Sequence, residues 1–220
     1  MDADLSKTVC IVGRQGEDAM KKWCRIFLLS LLLCIAMCAG AQATEHDMLK
    51  VGLKYGSTAM DEANLQNYSP FGGYALGYYD SSRSFVQLTV LPASYEKITV
   101  TQDKTYHVQL SETFYDYASA SARAAQYGGF AAYDNGAFVA RVGNYSDYGS
   151  AQSALYSLGT GGTVVGGSST GVTVIVTGTS TILFEFDQSG LYSLGIRPVE
   201  AGQKTVTWFR GYRYYGGFEY

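Results

Sequence analysis

Two histidines, His46 and His107, are the whole imidazole supply of this 220-residue chain. Its four cysteines, Cys10, Cys24, Cys34 and Cys38, all precede Ala43. No metal-ligand cluster follows from such spacing. Beyond residue 43 a disulfide framework and a thiol nucleophile are both excluded. Any Ser/His/Asp triad would need His107 as its base, and serine and aspartate are too frequent here to single out partners. Glycosidase chemistry needs a placed carboxylic acid, often with a second carboxylate. Glu185 and Asp187 share a strand face at i, i+2, but between Phe184, Phe186 and Gly190 they read as the end of a hairpin. Residues 159–171 are rich in Gly, Ser and Thr without a following Gly-Lys-Ser/Thr, so they read as a flexible connector and not a phosphate cradle. The expectation is no catalytic residue, no cofactor and no metal.

The elements around these residues follow from hydrophobic period. Residues 48–56 alternate apolar and polar, as do 73–79, 84–90 and 98–100, with the turn-like Asp80-Ser81-Ser82-Arg83 between the second and third. Residues 106–110 predict a strand. Residues 117–127 are Ala-rich and predict a helix, with Asp116 as N-cap and Gly128 as stop. Strands at 130–133 and 138–142 flank Asn135-Gly136, a strong hairpin turn. Ser146 is placed to cap a second helix with apolar Tyr148, Ala151, Leu155 and Leu158 and a stop at Gly159. Residues 163–165 close the unit as a strand. The order is β-α-β-β-α-β. Beyond it, 172–176, 181–186 and 204–209 alternate again.

Strand alternation assigns faces. Val108 and Leu110 turn toward the helices, and His107, Gln109 and Ser111 toward solvent. The same rule turns Ala140 and Val142 inward and Arg141 outward. Tyr133, before the Asn-Gly turn, is expected to add an aromatic rim to that outer face.

Composition limits the setting. Charged residues are 16% of the chain, hydrophobic residues 47%, and Gly (26) and Tyr (19) are abundant, a balance that suits β-rich extracellular modules. A net charge of −3 gives no nucleic-acid footprint. Met20 to Arg25 is basic, residues 26–37 are almost unbroken in their apolarity, and Ala41-Gln42-Ala43 is an A-x-A cleavage site. This is a secretory signal. The apolar run is shorter than the roughly 20 residues a membrane span needs. Met37 stands before Cys38, where a lipoprotein signal wants a small residue. Residues 1–19 are polar and acidic, and a start at Met20 is the simplest reading. No membrane span is expected after cleavage, and the product is expected to be secreted or cell-wall associated.

The middle of the chain resembles a SPOR domain, the peptidoglycan-binding module of sporulation and division proteins. The resemblance rests on Tyr106 to Phe114, with its Val108-Gln109-Leu110 core, and on Phe138 to Ser146, with Arg141-Val142-Gly143-Asn144-Tyr145. It covers about residues 105–165. Val139 departs from it, since a polar residue is frequent there. The flanks resemble the N-terminal portion of stage II sporulation protein D, through Val51 to Ser57, Phe71 to Tyr74, Gly77 to Asp80 and 204–220. Full-length members continue into a lytic-transglycosylase-like region whose catalytic Glu segment has no counterpart here. The resemblance implies binding to peptidoglycan glycan strands. On the outer face, Gln109, Ser111, Tyr133 and Arg141 are expected to carry it, with Arg141 pairing the lactyl carboxylate that removal of stem peptides exposes, so stripped strands are expected to bind better. The resemblance also implies a link to sporulation or cell division.

The expected fold class is α+β: a small βαββαβ, ferredoxin-like domain at 105–168, flanked by or inserted in a mainly-β domain. The remaining divisions are 1–43 (upstream extension and signal), 44–104 (β-rich) and 169–220 (β-rich). The ends of a βαββαβ unit lie close together, so 44–104 and 169–220 are able to form one interrupted domain. The aromatic tail, with Trp208, Tyr212, Tyr214, Tyr215 and Phe218, suits either saccharide stacking or packing against a partner strand, the second being favoured. A further domain is expected beyond Tyr220, since an aromatic strand at a chain end exposes a sheet edge. The alternative to a binding module is the N-terminal portion of a wall-cleaving enzyme. A ligand-free β-rich surface protein is a third reading. An RNA-binding sheet is disfavoured by the acidic charge and the export signal. The signal makes one direct prediction: intact mass of the exported protein places its first residue at Thr44. A species retaining Cys38 with a lipid adduct would show a different processing route.

Overall fold

The structure, a computed structural model, describes residues 60–67, 72–199, 205–209 and 212–220. The export signal and the strand expected at 48–56 lie outside these residues. The fold is α+β, with fourteen strands and two helices among the described residues. None of the described helices is long and apolar enough to cross a membrane.

The strands are β1 (Glu62–Asn67), β2 (Tyr74–Tyr79), β3 (Phe85–Leu91), β4 (Lys97–Gln102), β5 (Tyr106–Phe114), β6 (Phe130–Asp134), β7 (Ala137–Tyr145), β8 (Gly162–Gly166), β9 (Val172–Val176), β10 (Ile182–Asp187), β11 (Gly195–Pro198), β12 (Thr205–Phe209), β13 (Tyr212–Gly216) and β14 (Phe218–Glu219). The helices are α1 (Tyr117–Ala125) and α2 (Tyr148–Leu158). Ten strands form one sheet in the order β13-β12-β1-β4-β9-β10-β6-β7-β5-β8, and β14-β11-β2-β3 form a second. β10 and β6 run parallel, and every other pairing described is antiparallel.

Residues 106–166 carry the element order β5-α1-β6-β7-α2-β8, and their four strands sit side by side as β6-β7-β5-β8. The two halves repeat a short signal. Asp116-Tyr117-Ala118-Ser119 opens α1, and Asp147-Tyr148-Gly149-Ser150 opens α2. Each Asp is the N-cap: Asp116 accepts from the Ser119 N–H at 2.8 Å and Asp147 from the Ser150 N–H at 2.9 Å. Capping of this kind satisfies a donor the first helical turn leaves orphaned. The cap of α2 is therefore Asp147 and not Ser146, whose hydroxyl instead donates to the Asp147 carboxylate. The next residue in each repeat, Ala120 or Ala151, is fully buried. At the Asn135-Gly136 turn both residues have positive φ, 45° and 94°, as a two-residue hairpin with right-handed twist requires. The segment read as a flexible connector contains β8, and only 167–171 turn the chain into β9.

The ten-stranded sheet has two unlike faces. Val100, Val174, Phe184, Phe186, Ala131, Ala140 and Val108 lie on one. On this side Tyr74, Leu76, Leu194 and Ile196 of the small sheet share a core with Val100, Val174 and Phe184. Ala124, Ala154, Leu155 and Leu158 of the helices pack against Val108, Leu110, Ala140 and Val142. Alternation puts Thr101, Thr173, Glu185, Ala132, Arg141, Gln109 and His107 on the other face.

The chain enters β6 through Gly128 and Gly129, whose substitutions separate two physical costs. Gly128 has φ +67° and open space around it, whereas a Cβ on Gly129 would overlap the Arg141 carbonyl oxygen of the paired strand. Gly128→Ala is expected to cost about 1–2 kcal/mol, the left-handed penalty alone. Gly129→Ala is expected to cost more, because backbone must move. Denaturant unfolding of both variants checks the order.

Candidate functional site

Four strands and one loop bring five ionisable side chains together on the polar face. Glu185 (β10) and His107 (β5) are 0% exposed, and Arg141 (β7) is 4% exposed. Asp103, in the β4–β5 loop, is also buried, and Asp134 ends β6 half-buried. Arg141 is the hub. Its Nη2 donates to Asp134 Oδ2 at 2.8 Å, and its Nε donates to Gln109 Oε1 at 3.0 Å. Its Nη1 lies 2.8 Å from Glu185 Oε1. This last approach is off the N–H axis, so it is an ion pair and not an aligned hydrogen bond; both Glu185 oxygens lack hydrogen-bond partners.

His107 is oriented from both sides. Its Nδ1 is 2.7 Å from the Gly143 carbonyl, which accepts its proton. Its Nε2 faces Asp103 Oδ1 at 3.5 Å, Glu185 Oε2 at 3.8 Å and Thr105 Oγ1 at 3.3 Å. Phe130 meets the ring edge to face at 5.1 Å. One potential ligand atom from each of Asp103, His107 and Glu185 falls within 4.8 Å of the others. Asp103 Oδ2 is buried with no hydrogen-bond partner.

This surrounding shifts the acids and the base. Burial pushes the Glu185 carboxyl up to about 7, although Arg141 and His107 pull it down. Burial also opposes the charge on His107, but Asp103 and Glu185 outweigh it and raise its affinity for a proton. Burial disfavours the Asp103 carboxylate too, yet the hydrogen bonds from His107 and the Thr105 N–H hold it below its ordinary value.

The four residues expected to form a glycan face fall in different places. Gln109 and Arg141 are directly opposed across β5 and β7. Gln109 is half-buried and Ser111 exposed, as alternation predicts, but His107 on the same face is fully buried beside Asp103 and Glu185 and does not face solvent. Arg141 is not solvent-facing. Its charge is met by Asp134 on β6 and by Glu185 on β10, a strand outside residues 105–168 whose parallel pairing with β6 no local pattern announces. Tyr133 is on the opposite, apolar face, packed near Phe138, Phe186 and Tyr78 with ring centroids 4.9, 6.2 and 6.3 Å away. The reason is parity: Tyr133 pairs with Phe138 and Phe186, which belong to the core side. Of the two acids considered together, Asp187 does serve a turn, accepting from the Ser189 N–H and the Thr170 hydroxyl. Glu185 is instead at the centre of the sheet.

Sequence reasoning missed Asp103, Glu185 and the gathering of both around His107. Two signals were present. Asp103 and His107 are four residues apart across a strand start, and Glu185 interrupts an otherwise apolar strand between two phenylalanines. A second feature lies at the far end of β5. A cleft of about 490 Å³ is lined by Gln87, Thr113, Tyr115, Asp116 and Tyr133, among others. Tyr115 is fully exposed beside it.

The shifts carry a sign. Glu185 binds its proton more tightly folded (about 7) than at its ordinary 4.5. Its contribution to stability is complete below pH 4.5 and is lost as pH rises to about 7. His107, raised from 6.5, adds a loss that continues above that value. Asp103, lowered from 3.8, contributes above that value and loses its contribution on acidification. Melting temperature of chelator-treated protein is therefore expected to peak near pH 5 and to fall toward pH 8. The Glu185 part is on the order of 3 kcal/mol at one unit per 1.36 kcal/mol. Glu185→Gln should flatten the fall between pH 5 and 7, and an unchanged slope in that variant would assign the loss elsewhere.

No protein-family model matches this chain, and no curated protein or solved structure matches it.

Proposed function

We propose that this chain is an exported, cell-wall-associated protein that binds peptidoglycan glycan strands through a SPOR-like unit at residues 106–166, with a role in sporulation or cell division. The observation that carries the reading is the pairing of its two motif strands. Val108-Gln109-Leu110 and Arg141-Val142-Gly143 lie side by side, with Gln109 opposite Arg141 in a β6-β7-β5-β8 sheet backed by two helices. The export signal supplies the compartment.

The buried position of Arg141 reassigns its part. Arg141 holds the Gln109 amide by its oxygen, which leaves the amide NH₂ to donate to a sugar oxygen. Ser111 and Thr113 continue the same face of β5 exposed, and Thr163 stands exposed on β8 opposite Gln109. This polar row runs toward the cleft, where Tyr115 offers a free ring to the C–H face of a saccharide and Gln87 offers an amide. Hydroxyl and amide partners suit the hydroxyl and acetamido groups of an extended glycan.

Co-sedimentation with purified sacculi tests the reading. Binding is expected to increase after an amidase strips the stem peptides. Tyr115→Ala and Ser111→Ala alter exposed side chains only, so the fold persists. Each is expected to weaken binding roughly 3- to 10-fold, as losses near 1 kcal/mol convert. Parent-like binding by both variants, or indifference to stripping, would remove this face from glycan recognition.

A further inference from the structure

We infer that Asp103, His107 and Glu185 form an inner-sheet binding site for one divalent transition-metal cation, with Thr105 Oγ1 as a fourth donor. The inference is independent of glycan binding and rests on the donors, their orientation and their unmet bonding.

Donor type comes first. One imidazole nitrogen and two carboxylates make a mixed N/O set, which suits Zn²⁺ and its first-row neighbours. Two carboxylates also balance a double positive charge in a place where an unpaired charge would be costly.

Geometry comes second. Bonds of about 2.0–2.2 Å separate neighbouring ligands by roughly 3–3.6 Å. Nε2 of His107 is 3.5 Å from Asp103 Oδ1, 3.3 Å from Thr105 Oγ1 and 3.8 Å from Glu185 Oε2. A contraction of a few tenths of an ångström brings the last of these into the same range. All three principal donors already converge within 4.8 Å.

Orientation is the third argument. A histidine ligand usually donates its second ring proton to a carbonyl or carboxylate, which fixes the tautomer and aims the free nitrogen at the metal. Here Nδ1 meets the Gly143 carbonyl at 2.7 Å, leaving the Nε2 lone pair to face the two acids. Glu185 is held in the same manner from behind: Arg141 pairs with its Oε1, which presents Oε2 to His107.

Unmet bonding is the fourth. Glu185 is wholly buried and Oε2 has no hydrogen-bond partner. Asp103, 3% exposed, has Oδ2 in the same condition. Buried carboxylate oxygens are ordinarily satisfied several times over. A cation held by Asp103, His107 and Glu185 gives the unpartnered Glu185 Oε2 a bond, while Asp103 Oδ1 also accepts from the Thr105 N–H. Such a site has no open coordination face toward solvent, so its part is structural: it ties the β4–β5 loop and β5 to β10.

The test uses the full exported protein. After chelator treatment it is dialysed against Zn²⁺ alone, and metal content is measured by elemental analysis. One equivalent per chain is expected, with a rise in melting temperature that chelator reverses. Co²⁺ in place of Zn²⁺ is expected to give visible d–d absorption with one nitrogen donor. Asp103→Asn and Glu185→Gln keep side-chain shape and are expected to lower affinity at least 10-fold, the lower end of what loss of a ligand or its orienting partner brings. His46→Ala is expected to change nothing. Circular dichroism confirms that each variant is folded. If the folded parent retains no Zn²⁺ and shows no Co²⁺ band, the site does not exist. If binding follows His46, or survives in both carboxylate variants, the metal lies elsewhere on the chain.

Discussion

Arg141 and Glu185 meet where neither reaches water, and that contact constrains the rest of the sheet. A buried guanidinium without a counter-charge costs several kcal/mol, and removing one member of such a pair typically costs 3–5 kcal/mol. Arg141 belongs to β7, inside residues 106–166, whereas Glu185 belongs to β10, beyond them. Asp134 gives Arg141 one counter-charge inside the unit at 106–166, and Glu185 supplies a second from β10. β10 lies alongside β6 and is joined to β9, β4 and β1 through antiparallel pairing. One ion pair thus couples the βαββαβ segment to strands from both flanks of the chain.

The same coupling divides labour between the two sheet faces. On the apolar side, Phe184 and Phe186 flank Glu185 in sequence and pack into the core with Tyr74, Leu76 and Ile196. On the polar side, Thr99 donates to Asn64 at 2.6 Å and contacts Thr177 at 3.0 Å, so β4 is fixed by side-chain hydrogen bonds as well as by its ladder. Alternation lets a single strand serve both faces. Neither face tolerates a one-residue slip, because that would put Glu185 among phenylalanines.

Local physics made much of the fold legible. Asp116, the Ala-rich run after it, the Asn135-Gly136 turn and Gly159 each define an element through nearest neighbours, and each stands where the residue pattern predicts it. The Asp-Tyr-x-Ser repeat at 116–119 and 147–150 is equally local and marks both helix starts. What escaped was set by distant partners. β1 reads Glu62-Ala-Asn-Leu-Gln-Asn and carries little β-propensity; it becomes a strand because β4 and β12 hold it on either side. β11 is short and ends at Pro198, and it is held between β2 and β14. The site failed to show for the same reason. Asp103, His107 and Glu185 span 83 positions between first and last with no motif spacing, and only the parallel β10–β6 register brings them together.

The two expected residues that moved, Arg141 and Tyr133, show how burial changes a side chain's task without removing it from the neighbourhood. An exposed arginine offers its own charge to a ligand, and a long flexible side chain must be ordered in doing so. Buried Arg141 instead spends its donors on Asp134, Glu185 and Gln109, and thereby holds the Gln109 amide in one orientation. Gln109 is thereby ordered in the free protein, which under the proposed glycan binding would lower its entropic cost. Tyr133 acts similarly from the apolar side. Packed among Tyr78, Phe138 and Phe186, it also lines the cleft. The Gln109 amide and the exposed hydroxyls of β5 are therefore backed by a charged interior, and that cluster fixes the strands that present them.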